Sequence, residues 1–103
     1  MAVKLQQAAL LRLDEVFVYT RDRWGEEQAQ RYSDGLFEAI DGLSDGTTRS
    51  RPIPAEFGVR GFYFRYQRHF VYWQPLPSGD IGIASILHEQ MHQLSRLRED
   101  FGL

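Results

Sequence analysis

His88 and His92 stand four residues apart with Glu89 beside the first, in the run Ile86-Leu87-His88-Glu89-Gln90-Met91-His92. On a helix this spacing puts both imidazoles on one face with a carboxylate next to them. That is the arrangement that holds zinc and activates water in metallopeptidases. The chemistry depends on the helix. Upstream, Asp80-Ile81-Gly82-Ile83-Ala84-Ser85-Ile86-Leu87 is short and β-branched, and it follows the breaker-rich Pro75-Leu76-Pro77-Ser78-Gly79. It reads as a strand ending at His88. Downstream, His92-Gln93-Leu94-Ser95-Arg96-Leu97-Arg98 lacks the Gly and third His of the extended metzincin pattern. No metal site, cofactor site or catalytic group is expected.

The cations form the second chemical signal. Of twelve Lys and Arg only Lys4 is lysine, and Arg49, Arg51, Arg60, Arg65 and Arg68 fall together in the middle of the chain. Guanidinium groups make planar, bidentate contacts with carboxylate and phosphate, so the cluster suits a recognition surface; a solvated sheet face is the alternative. The formal net charge of -2 opposes unaided, sequence-specific binding to a polyanion, whose affinity comes from many basic groups releasing counterions.

The elements that position these groups follow from composition and period. A chain of 103 residues is expected to form one domain, residues 1–103, with seven Phe, five Tyr and two Trp to fill its core. It has no cysteine, so disulfides and thiolate chemistry are excluded. No apolar run reaches membrane-spanning length, and Met1-Ala2-Val3-Lys4 opens no secretory apolar region, so a cytoplasmic location without membrane association is expected. From Gln7 to Trp24 the apolar positions Ala9, Leu13, Val16, Phe17, Thr20 and Trp24 have helical spacing, and Gly25 stops the helix. Ala29, Tyr32, Leu36, Phe37, Ile40 and Leu43 mark a second helix from Glu26 to Ser44, ended by Asp45-Gly46. The two make an antiparallel hairpin.

Thr47 to Phe57 is the one long irregular connection; beyond it the period becomes two. Val59–Gln67, His69–Gln74 and Ile81–His88 read as three strands in an antiparallel meander. Val3-Lys4-Leu5 adds a short edge strand, and Gln90–Arg98 a final helical turn or two. The expected fold is α+β: an N-terminal helical hairpin packed on a three- to four-stranded antiparallel sheet.

Three sequence words in this order point further. Val18-Tyr19-Thr20-Arg21-Asp22-Arg23-Trp24-Gly25-Glu26-Glu27-Gln28-Ala29-Gln30-Arg31-Tyr32 resembles the hairpin signature of the ParE toxins of the RelE/ParE toxin-antitoxin superfamily. His69-Phe70-Val71-Tyr72-Trp73 resembles its His-x-Val/Ile-aromatic-aromatic strand, and Ile86-Leu87-His88-Glu89-Gln90-Met91 its closing Ile-Leu-His-x-x-Met word. The resemblance runs from Leu5 to about Leu94, and it makes the zinc spacing a coincidence of the family word with His92. It implies a toxin that inhibits DNA gyrase by binding, that has no catalytic centre, and that a cognate ParD-like antitoxin neutralises in a hetero-oligomer, as on a plasmid-stabilisation locus. The sister branch, the RelE-like ribosome-dependent mRNA interferases, is the alternative. Those enzymes carry an Arg on the middle strand where this chain has His69, and a basic pair after the last strand where it has Glu89 and Gln90. The segment Gly58–His69 is about two residues longer than in many members.

The candidate target-binding residues are therefore Arg60, Arg65, Arg68, His69, His88, Met91, Leu94, Leu97 and Phe101. Each has a structural alternative. His69 and His88 can serve as hydrogen-bonded strand residues, Met91 as gap filler, and Leu94, Leu97 and Phe101 as a tail docked on the sheet. Trp24 and Tyr32 are expected in the core, with Trp24 buried between hairpin and sheet.

Overall fold

The computed structural model describes residues 2–103; Met1 lies outside it. The chain runs β1 (Val3–Leu5), α1 (Gln7–Trp24), α2 (Glu26–Asp45), β2 (Arg51–Pro52), a 3-10 turn at Ala55–Phe57, β3 (Phe62–Tyr66), β4 (His69–Pro75), β5 (Ile81–His88) and α3 (Gln93–Asp100). The helical hairpin falls where the spacing places it. Gly25, at φ 95°, makes the one-residue joint, a backbone geometry that side chains with a Cβ resist. Its N–H donates to the Arg21 carbonyl (2.8 Å), and its own carbonyl accepts from Ala29 N–H (3.0 Å), closing one helix and opening the next.

The sheet differs from the expected meander. It has five strands in the order β1-β5-β4-β3-β2, and β1 runs parallel to β5, so it is mixed. The reason lies in the connection: β1 feeds directly into α1 and meets β5 only after the whole chain has returned, and a crossover of that length gives parallel neighbours where a tight turn gives antiparallel ones. Ile81 N–H donates to Ala2 C=O and Gln6 N–H to Ile83 C=O, both at 2.9 Å. β3 begins at Phe62, not Val59, so Arg60 lies outside the strand. The connection expected to be irregular contributes the two-residue β2, paired with Phe62 and Tyr63.

Two apolar cores lie on opposite faces of this sheet. Val16, Leu36 and Ile40 of the hairpin pack on Phe64, Val71, Ile83 and Ile86. On the other face Leu97 of α3 packs with Ile53, Tyr72 and Leu87. A bulge sorts β5 between them: Tyr72 pairs Ser85 and Trp73 pairs Ile83, leaving Ala84 extra. Ile83 and Ile86 thereby reach the same face although they are three positions apart. Burial on both faces explains why every residue from Ile81 to Leu87 is buried.

Trp24 corrects the sequence reading. It is 70% exposed, because the last turn of α1 overhangs the β3–β4 turn and has no sheet beneath it. The final helix starts at Gln93, three residues later than expected, with His92 as its N-cap accepting from Ser95 N–H. Among the described residues no helix is long and apolar enough to cross a membrane.

Candidate functional site

The two histidines of the zinc-like spacing are separated by the fold. His88 is the last residue of β5, while His92 sits beyond a turn and engages the Ser95 hydroxyl through Nδ1 (2.8 Å). The shared helix face that zinc binding requires is not formed. No group of three or more His, Asp or Glu placed to hold a metal occurs among the described residues.

His88 instead meets His69, its partner across the β4–β5 ladder, with ring centroids 5.1 Å apart and nearly perpendicular. The contact extends in both directions. Tyr19 of α1 lies 5.5 Å from His88, and Tyr32 of α2 lies 5.4 Å from His69 and 5.3 Å from Tyr66. Five rings from five elements thus form one track. Tyr32 is its anchor. Its hydroxyl lies 2.7 Å from His69 Nδ1 and accepts from Arg68 N–H at 3.4 Å. His69 is 5% exposed, and burial, reinforced by neighbouring His88, pushes its pKa down to about 4. It is neutral near pH 7, and the Tyr32 hydroxyl also lies within donating distance of the Tyr66 carbonyl at 3.3 Å. Burial raises the Tyr32 pKa as well, so the pair is an uncharged hydrogen bond.

Around this track lie two depressions. The larger, about 710 Å³, runs between α1 and the end of β5. Val16, Val18, Tyr19, Ile86 and Met91 give it an apolar lining, and Asp14, Glu15 and Asp22 outnumber Arg12, which pairs with Glu15, among its charged groups. β1 pairs β5 only as far as Ile83, so the groove borders the stretch of β5 that has no strand on that side. The smaller, about 260 Å³, is lined by Trp24, Tyr32, Gln67 and Arg68 at the β3–β4 turn. That turn is tight and unusual, since Gln67 holds φ 49° without being glycine.

The structure disperses the arginines expected on one face. Arg65 of β3 pairs with Glu89 at 3.2 Å and lies near Arg49 and Arg51, Arg68 opens toward Trp24, and Arg60 is exposed in the loop before β3. The tail is likewise divided. Leu97 is fully buried and Phe101 half-buried against the sheet, so the expected partner contacts there are core residues; the apolar stripe of α3 has sheet to cover, and only Leu94 points outward. Met91 is half-buried at the mouth of the large groove.

One buried polar cluster has no sequence signature. Asp100 of α3 accepts from Arg12 Nε (2.9 Å) and Nη2 (3.0 Å) of α1 and from Ser85 Oγ (2.6 Å) of β5. Residues 15 and 88 apart in the chain meet there, a juxtaposition no local pattern encodes.

The site is thus a helical hairpin on one face of a small mixed sheet, with a groove along the end of β5 and a buried His69 beside it. The profile of the ParE toxin of type II toxin-antitoxin systems, parDE, matches residues 3–93, and the chain belongs to that family. Toxin ParE of Escherichia coli is 30% identical over 81 residues, 79% of this chain and 78% of its own. Toxin ParE1 of Mycobacterium tuberculosis is 29% identical over 89 residues, covering 84% and 88%. A solved chain from the chromosomal ParDE TA system of P. aeruginosa superposes with TM-score 0.67 over 85% of this chain and 95% of its own, at 21% identity, and so shares the fold.

Proposed function

We propose that this chain is a toxin that inhibits DNA gyrase by binding, has no catalytic centre of its own, and is neutralised by a ParD-like antitoxin. The observation that carries the reading is the state of His69. Message cleavage needs cations to move protons and to stabilise charge developing on phosphate. At the strand position where the RNA-cleaving branch carries Arg, this chain has a buried neutral imidazole tied to Tyr32. After the last strand, Glu89 adds a carboxylate bound to Arg65. Inhibition by contact needs neither group to ionise.

The antitoxin side of the reading is supported by the large groove. Its apolar lining suits the hydrophobic stripe of a short amphipathic segment, and its excess of Asp14, Glu15 and Asp22 over Arg12 suits a partner with basic flanks. Such a segment orders on binding and covers a large surface at modest length. Of the residues assigned to the gyrase contact, Arg60, Arg65, Arg68 and Leu94 are exposed, and His88, Met91 and Phe101 are half-buried.

The test is paired. Supercoiling by purified gyrase is measured with and without the toxin, beside translation-coupled cleavage of a message. Loss of supercoiling with the message intact is expected, and co-purified antitoxin should restore it. Cleavage of the message with gyrase unaffected would replace this reading with ribosome-dependent mRNA interference.

A further inference from the structure

Beside β3, on an acidic chain, three arginines line one groove, and the carboxylate that reaches one of them, Glu89 on Arg65, stands outside its lining. β2 covers β3 only at Phe62 and Tyr63. Next to the uncovered part lies a groove of about 530 Å³ whose lining includes Arg49, Arg51 and Arg65 with Tyr63 and Phe70, and contains no Asp or Glu. Arg49 and Arg51 are exposed, and neither forms an ion pair among the described residues. Arg65 is paired with Glu89, which stands outside the lining. That ion pair is worth at most about 1 kcal/mol and can be exchanged for another anion, while Nε of the same guanidinium stays on the Gln67 carbonyl at 2.7 Å. The rings of Tyr63 and Phe70 lie 6.1 Å apart on the sheet face, both half-buried, and the Arg65 guanidinium stands 5.4 Å over Phe70.

We propose that this groove binds a short single-stranded segment of nucleic acid, with the three arginines on successive phosphates and an unpaired base against Tyr63 and Phe70. The cations alone would suit any anion; the rings select. Partly exposed aromatics on an antiparallel sheet, flanked by guanidinium groups, offer a stacking surface that every base can use, on Phe70 in exchange for the Arg65 guanidinium now over it, and that an acidic peptide cannot. Stacking reads no sequence, so recognition is of strand and not of site. The net charge of -2 does not oppose this, because the charges are segregated: the potential at the groove is set by its own lining, while the acidic remainder confines binding to a short segment. The inference requires neither gyrase nor antitoxin and stands or falls apart from the function proposed above. DNA and RNA strands share the phosphates and bases that the groove would take and differ in the 2′-hydroxyl.

The experiment is fluorescence anisotropy of labelled pyrimidine oligonucleotides, one DNA and one RNA, titrated with the purified full chain across a salt series. Neutralising three phosphates predicts a slope of log K against log salt of about -2, taking ~0.7 per single-strand phosphate. Arg51→Ala should weaken binding and lower the slope by about 0.7. Phe70→Leu, which keeps an apolar side chain on the sheet, should weaken binding several-fold and leave the slope unchanged. Unchanged melting curves for both variants tie these losses to the groove. The tighter of the two strands identifies the source, and either one supports the site. Absence of binding at low salt, a slope untouched by Arg51→Ala, or competition by inorganic phosphate or oligoglutamate as strong as by the oligonucleotide would overturn the proposal.

Discussion

Replacing Asp100 with alanine should cost this protein about 3 to 4 kcal/mol, although the residue lies three positions from the C-terminal end of the chain. The carboxylate is 6% exposed and Arg12 12% exposed at the side chain, and their two hydrogen bonds at 2.9 and 3.0 Å form a planar fork. Removing one partner of a buried ion pair typically costs ~3–5 kcal/mol, because the other charge is left desolvated. Arg12 keeps a second, exposed partner in Glu15 at 3.2 Å, which places the loss toward the lower end. Ser85 is fully buried and loses the acceptor of its hydroxyl, adding about 1 kcal/mol. A domain of this size has roughly 5–15 kcal/mol in total. At about 4–8 °C per kcal/mol, the midpoint should fall by at least ~12 °C. Urea unfolding followed by circular dichroism reads the difference directly. A second chain, Arg12→Met with Asp100→Leu and Ser85→Ala, separates charge from packing: with no charge left to desolvate, most of the stability should return. If Asp100→Ala unfolds within about 0.5 kcal/mol of the parent, the cluster contributes no more than an ordinary surface pair, and α3 is held by its other contacts, Leu97 and Phe101 on the sheet and Gln93 with Tyr72.

Acid should destabilise the fold through His69. Its folded pKa, about 4, lies below the ordinary 6.5, so the unfolded chain takes up a proton that the folded chain refuses; stability is complete above pH 6.5 and declines toward pH 4. At about 1.4 kcal/mol per unit the loss is bounded at ~3.5 kcal/mol. His69→Gln, whose amide can either donate to or accept from Tyr32, should flatten melting temperature against pH in that window, and an unchanged slope would place the titration elsewhere. Asp45 and Asp80, whose pKa values are lowered by their hydrogen bonds to Thr47 and to Ala2 and Lys4, lose their contributions only below the ordinary carboxylate range and do not blur the test. Gly35→Ala should destabilise by about 1 kcal/mol, since a Cβ there would overlap the Tyr66 hydroxyl. In a Tyr66→Leu background the ring tip is gone and the helix preference for alanine, up to ~1 kcal/mol, should reverse the sign; the same loss in both backgrounds would show that the contact is not the cause.

The hairpin was legible because its information is local. Helical spacing around Val16, Leu36 and Ile40, broken by Gly25, leaves one arrangement, and β5 ends at His88 as its β-branched run implies. The strand reading of His88 was enough to separate a zinc-like spacing from a zinc site. Trp24 marks the limit of such reasoning: the period gives the face of a helix, but only the length of the sheet beneath decides whether the last turn is covered. The same holds for β5, where the bulge at Ala84 turns a simple alternation into two buried faces, and for the tail, whose amphipathic pattern suits a partner and a core equally until Leu97 meets Leu87. The parallel β1–β5 pairing, the Arg12–Asp100–Ser85 cluster and the regrouping of Arg65 with Arg49 and Arg51 arise from contacts between distant segments. Their energy exists only once the chain has closed on itself. The sequence determined which segments would be helix, strand and turn, because those preferences are set by neighbours a few residues away; tertiary structure alone decided which charges and rings would face one another.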